Sequence, residues 1–150
     1  MPLKKQSGTK LSRYEKQLKE CTFFLDRNLG RKWAAQALRQ AGAQVEIHDD
    51  HFAPDVPDEE WLAFCGEHNW IVITLDYRIR YRSRELDALR RNQVKAFLIA
   101  KAGNMNKEEL SNLLVRVLPK FVALSLQTPT PFAYHISPSG IFTRLPLNRS

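Results

Sequence analysis

Short apolar runs alternate with stretches of helical period from Cys21 onward, and this alternation restricts the fold more than any other feature of the chain. The runs with the length and composition of strands are 22–25, 44–48, 71–75 and 94–100. Strands that alternate with helical stretches in this way are typical of βα units on a parallel sheet. The sequence therefore predicts an α/β fold.

The stretches between these runs predict helices with recognisable ends. An amphipathic helix follows the first strand and stops at Gly42, a second begins at Pro57, and a third begins near Ser83. A fourth helix has a clear start signal, because Asn106 can cap it and Glu109 stands three residues later. The sequence therefore predicts four helices between and after the strands.

The two ends of the chain depart from the alternation. Residues 1–20 are polar and basic, and we interpret them as a tail that passes into one helical turn. The pattern changes after Pro119, and the runs 132–136 and 141–145 predict a β-hairpin or an edge extension of the sheet. We therefore expect one folded domain over residues 21–150.

Length and apolar content limit the class of protein. A chain of 150 residues fits one domain of ordinary size. No apolar run approaches the roughly 18 residues of a membrane span, and the start, Met-Pro-Leu-Lys-Lys, lacks the apolar block of a secretory signal. We expect a cytoplasmic protein.

Acidic residues stand where three of the predicted strands end and where the second helix begins. They are Asp26, Asp49, Asp50 and Asp76 after the strands, and Asp58, Glu59 and Glu60 in the helix. In an open α/β sheet these positions lie at the carboxyl ends of the strands, where ligands bind. Three carboxylates about 6 Å apart would repel by about 8 kcal/mol in total at an effective dielectric near 20, comparable to a small domain's stability. A hard cation, Mg²⁺ or Mn²⁺, offsets this repulsion, and we predict such a metal site.

Each of these acids also has a simpler interpretation. Asp26 and Asp76 are candidate turn formers or helix caps, since aspartate is common after strands for that reason alone. Only one of the neighbours Asp49 and Asp50 is expected to point inward. For Asp58, capping of the second helix and metal binding both remain open.

Basic residues close to these acids are candidate RNA contacts. The net charge of +7 favours an anionic partner such as nucleic acid, although it also serves solubility. Arg78 and Arg80 follow Asp76 in an alternating basic run that continues through Arg82 and Arg84, and they are placed to grip phosphates or to form a solvated loop.

Two polar residues after the first strand have a similar ambiguity. Asn28 and Lys32 lie near Asp26, where an amide can orient water and a lysine can bind phosphate. Helix capping and solvation explain the same two residues.

Four short stretches resemble a known family over residues 23–100. The stretches are FFLDRNLG, EIHDDHF, VPDEEW and TLDYRIR. They are similar to the PIN-like domains grouped with VapC-type toxins of toxin–antitoxin pairs. The resemblance implies a three-layer α/β/α PIN-like fold with a mainly parallel sheet, to which the C-terminal β-hairpin or edge extension would be added. It also implies Mg²⁺- or Mn²⁺-dependent cleavage of RNA and neutralisation by an antitoxin protein.

By position, the family's acids fall on residues already singled out. Asp26 matches the first-strand acid, Asp58 with Glu59 or Glu60 matches the acid at the helix start, and Asp76 matches the acid after the later strand. Many relatives keep a further acid where this chain has Arg78. That departure leaves open whether one metal or two bind, with Asp50 as a candidate replacement ligand.

A second class of function is a binding module without catalysis. A PIN-like domain that has lost activity would bind RNA or a partner without cutting. A phospho-acceptor receiver domain is disfavoured, because its acidic pair follows the first strand whereas Asp49 and Asp50 follow the second. The histidines show no zinc-ligand spacing, and we interpret them as structural. For docking an antitoxin or a second copy of the chain, we expect exposed apolar residues of the hairpin, Phe132, Tyr134 and Ile136.

Overall fold

A computed structural model describes residues 11–29, 32–75, 82–100 and 105–147. Within these residues, six strands form one sheet. They are β1 (Thr22–Leu25), β2 (Gln44–Ile47), β3 (Ile71–Thr74), β4 (Lys95–Ile99), β5 (Phe132–Ile136) and β6 (Phe142–Leu145). The four strands expected before residue 101 are confirmed, each to within one residue at either end.

The sheet is parallel except at one edge. Its strand order is β2, β1, β3, β4, β5, β6, and only the pairing of β5 with β6 is antiparallel. The central strand β3 is buried along its whole length, which explains why its sequence is almost continuously apolar. The predicted mainly parallel sheet is confirmed, and so is the C-terminal hairpin.

Helices cover both faces of the sheet. They are α1 (Arg13–Lys19), α2 (Lys32–Gln40), α3 (Asp58–Glu67), α4 (Ser83–Arg91) and α5 (Lys107–Gln127). α1, α2 and α5 pack around a core that includes Leu38 and Phe121, whereas α3 and α4 pack around Trp61 and Leu89 on the other face. The architecture is the expected three-layer α/β/α arrangement.

α5 begins as predicted but does not stop at Pro119. Asn106 Oδ1 accepts a hydrogen bond from the Glu109 amide at 2.8 Å, and Glu109 Oε1 accepts one from the Asn106 amide at 2.9 Å. The expected change of structure after Pro119 is wrong, because the helix continues to Gln127. Proline in a helix costs about 3 kcal/mol, while burial of Phe121 and Val122 contributes about 1.5–3 kcal/mol each and offsets that loss.

Two expectations about the ends of the chain change. Residues Arg13–Lys19 form a helix of about two turns with a capping box at Ser12, where one turn was expected. Phe132 and Ile136 are fully buried, because β5 lies inside the sheet between β4 and β6. The prediction that these two side chains are exposed for docking a partner is therefore wrong, and Tyr134, the third residue of that prediction, is half-buried. In the described part of the chain, no helix has the length and apolarity needed to span a membrane.

Candidate functional site

Asp26 lies at the carboxyl end of β1 and is only 7 % exposed. Its amide donates to the Ile73 carbonyl at 3.0 Å, which extends the β1–β3 pairing by one residue. Its carboxylate accepts hydrogen bonds from the Thr74 hydroxyl at 2.6 Å and from the Arg27 amide at 2.5 Å. The carboxylate is thus held in one orientation by the last residue of β3 and by the turn that follows β1.

The electrostatics of Asp26 favour a nearby positive charge. Burial raises the pKa of Asp26 above its ordinary value, and the negative charge of Asp58 raises it further. The hydrogen bonds from Thr74 and Arg27 and the charge of His48 lower this pKa but do not cancel the effect of burial. A cation beside Asp26 and Asp58 would stabilise their ionised forms together.

Asp58 is the first residue of α3, and the helix does not use it as a cap. The N-cap is Pro57, which makes no side-chain capping bond. Asp58 Oδ1 instead accepts a hydrogen bond from the indole Nε1 of Trp61 at 3.0 Å. The Trp61 ring stacks on Phe24 of β1, with ring centroids 5.5 Å apart. These contacts connect Asp58 to the strand that carries Asp26.

Two arginines at the start of α4 face the first turn of α3. Arg82 Nη1 lies 3.8 Å from Asp58 Oδ2, and Arg84 Nε lies 3.2 Å from Glu59 Oε2. Glu60, the third acid of that turn, is exposed. This end of the basic run therefore has acidic partners within the protein, which neither the phosphate-gripping nor the solvated-loop interpretation anticipated.

The two acids after β2 lie in a short 3-10 turn, and both are exposed. Asp49 is 60 % exposed, with its Oδ1 3.9 Å from Arg27 Nε and 3.4 Å from His48 Nδ1. Asp50 is exposed and lines a groove beside α2 together with Lys32. The structure places neither of them beside Asp26 and Asp58, and a metal role for Asp50 stays a prediction.

Five further predicted site residues are exposed or lie outside the described part of the chain. Asn28 is exposed in the turn after β1, and Lys32 is exposed at the first position of α2. Asp76, Arg78 and Arg80 lie outside the described residues. Across the described ranges, no group of three or more His, Cys, Asp or Glu side chains could hold a metal ion. Asp26 and Asp58 are therefore two members of a predicted ligand set whose third, Asp76, falls outside these ranges.

Two residues near Asp26 had no predicted role in the site. Thr74 is a polar residue in an otherwise apolar strand, and this contrast is a sequence signal for a site partner. His48 was interpreted as structural, and it is 2 % exposed among Phe24, Phe52 and Trp61. Its Nδ1 makes no hydrogen bond, although its charge lowers the pKa of Asp26.

The donor atoms around Asp26 fit a hard divalent cation. Asp26 and Asp58 supply carboxylate oxygens, and Thr74 adds a hydroxyl next to Asp26. Burial raises the pKa of the Cys65 thiol, and the negative charge of Asp26 raises it further. This sulfur therefore stays protonated. The chemistry of these donors suits Mg²⁺ or Mn²⁺ better than a thiolate-preferring metal.

Comparisons with known proteins bear on the same region. A family model described as a PIN like domain matches residues 21–101, more than half of the chain. A protein of Mycobacterium tuberculosis (strain H37Rv), named "Putative ribonuclease VapC45", is 27 % identical over 122 residues, which cover 79 % of this chain and 87 % of that protein. No solved structure matches the chain.

Proposed function

This chain belongs to the PIN-like domain family, and from that premise we propose that it is a Mg²⁺- or Mn²⁺-dependent endoribonuclease, the toxin of a toxin–antitoxin pair. The observation that carries the proposal is the buried carboxylate of Asp26, oriented by Thr74 and electrostatically coupled to Asp58. Burying an acid beside a second acid is unfavourable unless a positive charge joins them. The VapC name of the relative supports the same function.

Asp26, Asp58 and Asp76 are the proposed catalytic acids and metal ligands, with Asp50 and Glu59 as further candidate ligands. When bound, a divalent cation supplies a more acidic water and neutralises charge on the phosphate. Thr74 and the Arg27 amide keep the Asp26 carboxylate in one orientation, so little reorganisation is needed at the moment of reaction.

The basic residues around these acids are proposed to bind the RNA backbone. Lys32, Arg78 and Arg80 would contact phosphates on either side of the cleaved bond, and Asn28 would orient water or a phosphate oxygen. Their positive charge would also offset the negative charge that develops on the transferring phosphoryl group. The net charge of +7 supports a polyanionic substrate.

An inactive RNA-binding or regulatory module is the second candidate. The ion pairs of Arg82 with Asp58 and of Arg84 with Glu59 favour it, because they already neutralise part of the acidic charge. Against it stands the geometry of Asp26, because a surface that only binds RNA does not require a buried, oriented carboxylate.

An antitoxin protein is the proposed cognate partner, and a second copy of the chain is another candidate. Both partners and the RNA would be encountered in the cytoplasm, where we propose that the protein acts. With Phe132 and Ile136 buried, any docking surface must lie elsewhere than on those side chains.

Cleavage of RNA tests the proposal directly. Purified protein is incubated with a single-stranded and a structured RNA in Mn²⁺ or in EDTA, beside Asp26→Asn, Asp76→Asn and the control Glu67→Gln. Glu67 is exposed at the end of α3 opposite Asp58. We expect Mn²⁺-dependent cleavage that falls about 100-fold or more in the two aspartate variants and is unchanged in the control. Cleavage that persists in EDTA or in both aspartate variants would contradict the metal mechanism.

A further inference from the structure

A groove lined mostly by polar residues lies between α2 and the end of β2, and we call it the α2 groove. Its volume is about 580 Å³. It is lined by Lys32, Gln36, Arg39, Gln40, Ile47 and Asp50. Nothing in the family match or in the name of the relative assigns a role to this surface.

The α2 wall of the groove has the charge of a surface that binds polyanions, whereas Asp50 adds a negative charge where the groove meets the turn after β2. Lys32, Gln36, Arg39 and Gln40 recur at helical spacing on one side of α2, while Ala34, Ala35 and Leu38 are buried on the other. Residues 32–40 contain a lysine and an arginine but no Asp or Glu. The α2 wall of the groove is therefore positive, in contrast to the first turn of α3 with its three acids.

Arg39 is held in a fixed position within this wall. Its Nη2 donates a hydrogen bond of 2.6 Å to the Val45 carbonyl of β2. A guanidinium anchored in this way keeps its charge in place and retains other N–H groups for a ligand. Gln36 and Gln40, both exposed, present amides that can donate to and accept from base edges.

The groove starts at the edge of the sheet that carries the proposed active site. Lys32 begins the helix that follows β1 and Asp26, and Asp50 ends the turn that follows β2. Its neighbour Asp49 lies 3.9 Å from Arg27, the residue after Asp26. From Lys32 to Gln40 the helix rises about 12 Å, which is the length of a few nucleotides.

We propose that the α2 groove binds the single-stranded RNA that flanks the cleaved bond. Lys32 and Arg39 contact phosphates, and Gln36 and Gln40 contact the edges of unpaired bases. Single-stranded RNA is the ligand whose bases are free for such amide contacts, since base edges in an RNA duplex are hard to reach. The inference rests on the proposed function for the identity of the substrate, but binding in the groove requires no cleavage.

Salt dependence of binding separates the two kinds of contact. The probe is a fluorescein-labelled single-stranded RNA of 12 nucleotides, bound to the full chain carrying Asp26→Asn and followed by anisotropy between about 50 and 300 mM KCl. Lys32→Ala is expected to weaken binding about fivefold and to reduce the slope of log K against log salt by about 0.7, the value for one phosphate contact with a single strand. The double variant Gln36→Ala/Gln40→Ala is expected to weaken binding about fivefold with no change of slope.

Matched controls are Lys16→Ala on α1 and Gln127→Ala at the end of α5, both exposed and outside the groove. They should bind as the parent does. The proposal is overturned if the groove variants bind like these controls, or if a 12-base-pair RNA duplex binds as tightly as the single strand. Circular dichroism melts confirm that each variant is folded before binding is measured.

A cleavage assay distinguishes failure of the proposed RNA-binding groove from failure of the proposed nuclease activity. The same substitutions are made in the chain with Asp26 intact, and cleavage is followed in Mn²⁺ below saturating RNA concentration. Binding that depends on Lys32 without any cleavage supports the groove and contradicts the nuclease. Cleavage at unaltered rates in the groove variants supports the nuclease and contradicts the groove.

Discussion

The hydroxyl of Thr74 donates a hydrogen bond of 2.6 Å to Oδ2 of Asp26, although the two residues are 48 positions apart in the chain. The contact arises because β1 and β3 are parallel neighbours, and it joins the last residue of β3 to the residue after β1. Both groups are buried, so water cannot replace the bond if either partner is lost. Asp26 therefore depends on Thr74 for its orientation.

Replacement of Thr74 by valine removes the hydroxyl and keeps the shape of the side chain. We expect the free energy of unfolding to fall by about 1–3 kcal/mol, because a buried carboxylate loses a hydrogen bond. RNA cleavage in Mn²⁺ should fall about tenfold or more, the usual effect of losing a group that orients a metal ligand. Urea unfolding and initial cleavage rates measure the two effects.

Thr74→Ser is the matched control, because serine retains the hydroxyl. It should restore most of the cleavage rate even if the missing methyl group lowers stability. Equal loss of cleavage in the serine and valine variants would mean that packing of the methyl group, and not the hydrogen bond, is what Asp26 requires.

The raised pKa of Asp26 predicts a pH dependence of stability in the absence of metal. The folded chain holds the Asp26 proton more tightly than the unfolded chain does, so stability falls as pH rises from the ordinary aspartate pKa of about 4 through the folded value. Asp26→Asn lacks this titration. Its amide can still satisfy both neighbours, because the Thr74 hydroxyl can reverse its role from donor to acceptor.

We therefore expect Asp26→Asn to gain stability relative to the native chain as pH increases from about 4 to 7 in EDTA. Urea unfolding across this range measures the difference. Glu67→Gln, at an exposed position, should show no comparable gain. A constant difference between Asp26→Asn and the native chain over the whole range would contradict a raised pKa.

Much of the fold could be predicted because its signals are local. The strand runs and the Asn106–Glu109 capping box depend on residues close in sequence, and both are confirmed. The continuation of α5 past Pro119 and the burial of Phe132 depend on contacts with distant parts of the sheet. Local pattern carries no information on such contacts, and there the predictions were wrong.

In the candidate site, too, local signals could be predicted and long-range contacts could not. Asp26 was identified because a strand end fixes its place, whereas the exposure of Asp49 depends on a 3-10 turn that the sequence does not signal. The sequence does not distinguish a capping role of Asp58 from a role in the site, whereas the hydrogen bond from Trp61 to Asp58 argues against capping. Thr74 was missed because its partner, Asp26, lies on another strand.

Addition of metal should stabilise the native chain through Asp26 and Asp58. A ligand that binds only the folded state at 100 times its Kd adds about 2.7 kcal/mol to the free energy of unfolding. We expect Mg²⁺ or Mn²⁺ to raise the melting temperature of the native chain and of Glu67→Gln, but not that of Asp26→Asn or Asp58→Asn. Thermal melts at increasing metal concentration provide the test, and an equal rise in all four proteins would indicate binding elsewhere.

Arg82 is expected to weaken metal binding, because its positive charge lies beside a proposed ligand. Arg82 Nη1 is 3.8 Å from Asp58 Oδ2, a distance at which the guanidinium attracts the carboxylate without the short contact of a hydrogen bond. A cation that approaches the same oxygen is repelled by this charge. Both side chains are partly exposed, which limits the effect to about 0.7 kcal/mol, or about threefold in Kd.

Calorimetric titration with Mn²⁺ should therefore give a Kd about threefold lower for Arg82→Gln than for the native chain. Arg82→Lys keeps the charge and should bind Mn²⁺ as the native chain does, and Arg91→Gln, exposed at the other end of α4, controls for loss of a positive charge in general. Weaker binding by Arg82→Gln would give Arg82 the opposite role, because the guanidinium would then hold Asp58 in the orientation that the metal needs.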